Sequence, residues 1–229
     1  MTIKKQQITM KLNGPKSLEI DIYGEIVDET LLETDVSANS FKEQLKNYGD
    51  VEEIIVNLNS PGGSVFSGIA IYNMLKRHKA KVTVNIDGLC ASIASVIAMA
   101  GDTIRMPRNA LMMIHNAMTS DFGNANELRE TANLLDKVTS QLMTTYLDKS
   151  ESLNEATLKV LLDAETWLTA DEAKHYGLVD EVIAEKKLVA CADEEQLSKF
   201  MKTPKSVTMI KNTVETPKET KEVKNIYYL

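Results

Sequence analysis

The 229-residue sequence contains only two cysteines, Cys90 and Cys191, and only three histidines. Two cysteines roughly a hundred residues apart make no disulfide framework. That points to a reducing compartment, so a cytoplasmic protein is expected. No His/Cys cluster has metal-ligand spacing, so no metal is expected. A Gly-x-Ser-x-Gly elbow, a phosphate-binding loop and a dinucleotide fingerprint are absent as well, which sets aside the enzyme classes built on them. The longest apolar run, Leu89 to Gly101, covers roughly 13 residues, well short of the ~20 that cross a bilayer. Met1 to Gln7 is charged with no apolar region behind it, so no signal peptide is read. The net charge of −7 argues against nucleic acid or an anionic membrane as the main partner.

What remains is long enough for one α/β domain and a tail. Residues 1–18 form an N-terminal extension with one alternating patch, Ile8 to Leu12. Leu18 to Tyr23 alternates with period two and stops at Gly24, as a half-buried strand does. Ser37 can cap a short helix running to Tyr48. Ile54 to Leu58 and Val82 to Ile86 read as strands, with an amphipathic helix from Ser64 to Arg77 between them. An apolar helix opens near Ser92, and two further strands follow, Thr103 to Met106 and Leu111 to Ile114. Such alternation predicts βαβ crossovers and a sheet covered on both faces. Residues 124–149 read as one long helix with a single apolar stripe (Leu128, Leu135, Val138, Leu142, Tyr146), a helix that projects and packs on something else. Thr169-Ala170-Asp171-Glu172 is a capping box for a short helix ending at Gly177. Beyond residue 184 periodicity fades, and 185–229 read as a loosely ordered tail.

Three places carry candidate chemistry. Pro61-Gly62-Gly63 follows a strand, and paired glycines let backbone N–H groups face an incoming oxygen; a tight turn is the plainer reading of the same residues. Ser92 falls at the start of the apolar helix, where free N–H groups favour negative charge, and the amide of Ile93 is the natural donor. Its plainer reading is a cap, with Ser95 bonding back one turn. His115 follows four apolar residues and so falls at the carboxyl end of a buried strand, where α/β proteins place their sites. His78 and His175 lie in polar surroundings. Asp163 and Glu165 both precede Trp167, and composition selects neither as a partner for the histidine.

Taken in order, Gly24-Glu25-Ile26, Asn59-Ser60-Pro61-Gly62-Gly63, Gly88 through Ser92 to Gly101, Met113-Ile114-His115, Leu168 to Ala173 and Tyr176-Gly177-Leu178-Val179-Asp180 resemble the proteolytic subunit family of the Clp protease. The resemblance covers roughly Ile20 to Ile183. It implies a crotonase-like α/β fold over 19–184, with residues 124–149 as a protruding handle that stacks two rings into a closed chamber. It implies a homo-oligomer, a heptameric ring or stacked double ring, and serine-type peptide hydrolysis with no cofactor. Position by position, Ser92 matches the nucleophile, His115 the base, and Gly62 or Gly63 with Ile93 the oxyanion donors. The family acid is an aspartate. The alignment puts Glu165 there, with Asp163 as the alternative.

Ile93-Ala94 stands where the family has Met-Gly. Residues 1–19 do not match the axial entry segment, and the Lys-rich tail is atypical. These departures resemble the Clp-type head maturation proteases of phages, whose substrates would be capsid or scaffolding proteins; the alternative is unfolded protein supplied by a Clp ATPase. Two rival readings use the same fold: a ring-forming assembly protein with a misaligned triad, and an acyl-CoA hydratase or isomerase.

Overall fold

The structure is a computed structural model that describes residues 8–28, 36–184 and 194–204. Its first strands, β1 (Ile8–Leu12) and β2 (Ser17–Tyr23), form an antiparallel hairpin, whose turn carries Gly14 at φ 103°. Strand β3 (Glu53–Ser60) pairs in parallel with β2, and β4 (Lys81–Ala91) in parallel with β3. Ile20, Val56 and Val84 lie in one register row and are fully buried, each contributing about 2 kcal/mol of apolar burial. Val82, Thr83 and Val84 are buried consecutively, so β4 is covered on both faces, as the βαβ pattern required.

Strand β4 is longer than its β-branched run suggested. The residues Gly88 to Ala91, which open the apolar stretch, continue as strand. Its first half pairs with β5 (Thr103–Pro107), through Thr83 and Thr103, and β5 pairs with β8 (Glu181–Ile183). Its second half pairs with β6 (Leu111–Ile114), through Cys90 and Met112, and β7 (Thr166–Thr169) runs antiparallel along β6. One strand thus serves two neighbours in succession. The ends of β4 and β6 come side by side, and those ends precede Ser92 and His115.

The helices follow their caps. Ser37 caps α1 (Ala38–Leu45), which a 3-10 turn extends to Tyr48, and Ser64 caps α2 (Val65–Arg77). Ile93 to Ala98 form α3, wholly buried. Asn124 and Glu127 make a reciprocal box at the start of α4 (Ala125–Lys149), and Asn154 caps α5 (Glu155–Asp163). Thr169 and Glu172 close the expected box of α6 (Ala170–His175). A Cβ on Gly68 would lie 2.2 Å from Ile93 Cγ1, so that glycine sets the approach of α2 to α3. Only the last turns of α4 are buried, at Leu142, Met143 and Tyr146, while Leu128 and Leu134 are exposed. The expected projection of this helix is what its burial pattern describes.

The region set aside as a loose tail contains one ordered piece among the described residues, α7 (Glu194–Ser198) with the turn after it. Five residues are too short to show helical periodicity in sequence, and Leu197 is anchored by tertiary contact with Leu89, Ala91 and Met113. Cys191 and the terminal Ile226 to Leu229 lie outside the described residues, as do residues 1–7. No helix among the described residues is long and apolar enough to cross a membrane.

Asp180 ties three elements: its carboxylate accepts from the Ile104 amide at 2.6 Å and from Lys149 Nζ at 2.9 Å. Asp180→Ala should cost about 1–3 kcal/mol in denaturant unfolding, because a charge-assisted network is lost. Asp171→Ala, which breaks only the exposed pair with Arg108, should stay within about 0.5 kcal/mol.

Candidate functional site

The site is built where β4 turns into α3. Ser92 sits at φ 55°, ψ −130°, a conformation that disfavours a side chain and costs about 1–3 kcal/mol. The surroundings hold it there: its amide donates to Met113 O at 2.9 Å, which pins it to β6, and its carbonyl accepts from Ser95 N at 2.9 Å. The Ser95 hydroxyl donates to the same carbonyl at 2.6 Å. With its one proton so used, Ser95 must accept from Tyr146 Oη at 2.7 Å, and Tyr146 comes from the buried end of α4. Burial pushes the Tyr146 hydroxyl far above its ordinary pKa, so it stays a neutral donor. The Ser95 back-bond read from sequence is therefore present, and it buttresses Ser92.

Bent this way, Ser92 points its Oγ at His115 Nε2, 2.8 Å away. Burial lowers the histidine pKa below its ordinary 6.5, and the nearby Glu165 charge opposes that shift. The imidazole is neutral around pH 7, and in the tautomer that carries its proton on Nδ1 its Nε2 accepts from the serine hydroxyl.

The glycines have separate tasks. The Gly62 amide donates to Ser60 Oγ at 3.1 Å, and its carbonyl accepts from Ile26 N at 2.8 Å. A Cβ on Gly62 would fall 2.7 Å from Ser92 Cβ, so Gly62 provides close approach. Gly63, at φ 140°, has Ile26 O only 2.0 Å from where its Cβ would be. Ile26 bonds the residues on either side of Gly63, which turns the Gly63 amide to the opposite edge. That amide and the amide of Ile93, first in α3, donate to no group among the described residues. Gly63 and Ile93 both border a small cavity of about 40 Å³ with Ser92 and His115. A wider cleft of about 220 Å³ lies on the other side, reached by Glu25, Met118, Lys199 and Phe200.

The carboxylates are less simple. Asp163 lies at the surface, accepting from Lys159 Nζ at 2.7 Å and Asn116 Nδ2 at 2.9 Å, and the Lys159 bond is the main cause of its lowered pKa. Glu165 sits closer to the histidine, at φ 47°, near enough for its charge to raise the His115 pKa. Among the described residues no hydrogen bond joins His115 to a carboxylate. Glu165 instead accepts from the amides of Met201 at 2.8 Å and Lys202 at 2.6 Å, and weakly from Trp167 Nε1 at 3.4 Å.

Sequence reasoning missed three contributors. Buried Asn59 accepts from Leu89 N at 2.9 Å and fixes β3 to β4 beside the elbow. Ser60 accepts from the Gly62 amide two residues on, and Tyr146 acts through a hydrogen bond to Ser95 some fifty residues earlier. The adjacency of Asn59-Ser60 to the glycines was the only signal, and it did not say what they bond.

A serine hydroxyl on a half-buried, neutral imidazole at a strained strand-to-helix elbow is the arrangement a serine hydrolase uses. The profile of the Clp protease family matches residues 17–186. A Clp protease proteolytic subunit of Bacteroides fragilis is 35% identical over 161 residues, covering 66% of this chain and 75% of that protein. Its counterpart in Bacteroides thetaiotaomicron is also 35% identical over 161 residues, 66% of this chain and 71% of that one. Subunit 1 of Chlamydia abortus is 32% identical over 144 residues, 61% of this chain and 73% of the relative. The chain belongs to the Clp protease family and is a serine peptidase of that family.

Tyr146→Phe should remove the donor to Ser95 and cost about 1 kcal/mol in thermal or urea unfolding. Circular dichroism melts beside the parent protein measure it. An unchanged midpoint would show that this hydrogen bond contributes nothing net.

Proposed function

We propose that Ser92 is the nucleophile and His115 the general base of a peptidase acting on protein chains. The single observation that carries the reading is the 2.8 Å contact from Ser92 Oγ to His115 Nε2 at a strained elbow. In this mechanism Ser92 Oγ attacks the scissile carbonyl carbon while Nε2 takes its proton. The imidazolium then passes that proton to the leaving amine, and water attacks the acyl-enzyme by the same route. The Gly63 and Ile93 amides hold the oxyanion, each contributing about 3 kcal/mol to the transition state. Gly62 shapes the approach. Glu165 is the acid, since its charge already favours the imidazolium, while Asp163 is committed to Lys159.

The exposed Leu128 and Leu134 on the unburied half of α4 fit a contact between copies of this chain, so a ring or stacked ring is part of the reading. The relatives are named as ATP-dependent, which makes unfolded protein from a Clp ATPase one substrate source; capsid or scaffolding protein of a phage is the other.

A second reading has one observation in its favour. Both Glu165 oxygens are engaged by backbone amides and not by His115, as a non-catalytic assembly subunit would tolerate.

A fluorophosphonate probe separates the two. Labelling should fall on Ser92, and Ser92→Ala should lose it together with peptide hydrolysis while circular dichroism is unchanged. A parent protein that forms rings yet takes no label would overturn the peptidase reading.

The histidine also sets a pH dependence. The base must be neutral, and its pKa lies below 6.5, so activity is retained above that pKa and lost as pH falls through it. The acid limb of the kcat/KM profile should have its midpoint below pH 6.5. A midpoint above 7 would mean that His115 is not the group titrating.

A further inference from the structure

The cleft beside Ser92 is walled in part by a late segment of this chain. Lys199 and Phe200 border it together with Ser92, His115, Glu25 and Gly63. The Phe200 ring meets His115 edge-on at 5.6 Å and Trp167 at 6.0 Å. Lys199 Nζ lies 2.6 Å from Glu25 Oε1, and Gln196 Nε2 lies 3.3 Å from the other oxygen. Leu197, 5% exposed, fills a hydrophobic notch formed by Leu89, Ala91 and Met113. Thr203 Oγ1 donates to Leu197 O at 2.9 Å and closes the turn. The amides of Met201 and Lys202 take one oxygen each of Glu165, and Lys202 Nζ also bonds Ala164 O.

Two consequences follow from these contacts. Lys199 and Phe200 take up part of the approach to Ser92, so a substrate chain crossing the cleft has to displace them. Glu165 is held by these amides and makes no hydrogen bond to the imidazole in this arrangement. The contacts also describe what the cleft recognises: an acidic group at Glu25 that takes a cation, beside a shelf of His115 and Trp167 that takes a large apolar side chain.

Resting on the assignment of Ser92 as nucleophile, we propose that this cleft is a peptide-binding site whose resident is the chain's own residues 194–204. They keep the peptidase self-blocked until a protein segment carrying a cation followed by a large apolar residue displaces them. If the segment is docked in about nine molecules of ten, reactivity at Ser92 is reduced about tenfold.

The test uses the full-length chain. Fluorophosphonate labelling of Ser92 should be about tenfold faster in Lys199→Ala/Phe200→Ala than in the parent protein. Lys199→Glu alone, a surface change, should give an intermediate rate. A synthetic peptide with the sequence of residues 194–203 should slow the double variant again, while the same peptide with alanine at positions 199 and 200 should not. Trp167, the only tryptophan, should shift its emission when Phe200 leaves it. Equal labelling rates in parent and variants, with unchanged Trp167 emission, would overturn the self-block and leave Ser92 as the nucleophile. Labelling of neither protein would overturn the nucleophile assignment and this inference with it.

Discussion

The hydrogen bond from the Ser92 amide to Met113 O is the constraint on which the site depends. It extends the β4–β6 pairing one residue past Ala91 and forces the chain to bend there, not to run on as strand. The bend holds Ser92 at positive φ, starts α3 and aims Oγ at the residue one place beyond the end of β6. The cost of that backbone is met by packing: α3 is fully buried, and the Tyr146–Ser95 pair supports the Ser92 carbonyl from behind. A serine held in this way needs no motion of its own to meet the imidazole.

The same geometry explains the division of labour in the glycine pair. Gly63 is trapped against Ile26 and presents its amide outward, whereas Gly62 lets Ser92 approach. Neither could carry a Cβ where it stands. A turn that serves two backbone purposes with adjacent residues leaves little room for substitution at either.

The acid side of the site is looser. Glu165 carries one more methylene than the aspartate of the family pattern, and its carboxylate reaches the amides of residues 201 and 202. A longer side chain at this position can serve two masters, the imidazole or the C-terminal segment. The departure from the family residue and the presence of a segment seated on the cleft thus have one physical origin in the reach of that carboxylate.

How much of this was legible in sequence depends on the range of each interaction. The caps at Ser37 and Thr169 join residues three apart, and the strands announce themselves by period two, so both could be read from neighbours alone. The order of Pro61-Gly62-Gly63, Ser92 and His115 also sufficed to gather the candidate residues, because parallel strands end on the same edge of a sheet. The extension of β4 through Gly88 to Ala91 was not legible, since the same apolar residues suit a buried helix and only pairing with β6 makes them strand. Nor could sequence choose between Asp163 and Glu165, two residues apart, because only the folded chain bonds one to Lys159 and the other to the amides of residues 201 and 202. The seat of residues 194–204 is the clearest case. Leu197 and Phe200 sit in a polar, aperiodic stretch, and their meaning comes wholly from the apolar notch and aromatic rings they meet in segments far earlier in the chain. Sequence alone determined most of the elements, their caps and the residues with chemistry to offer; tertiary structure decided what each carboxylate bonds and which segment borders the cleft, because those outcomes rest on contacts between segments with no local signature.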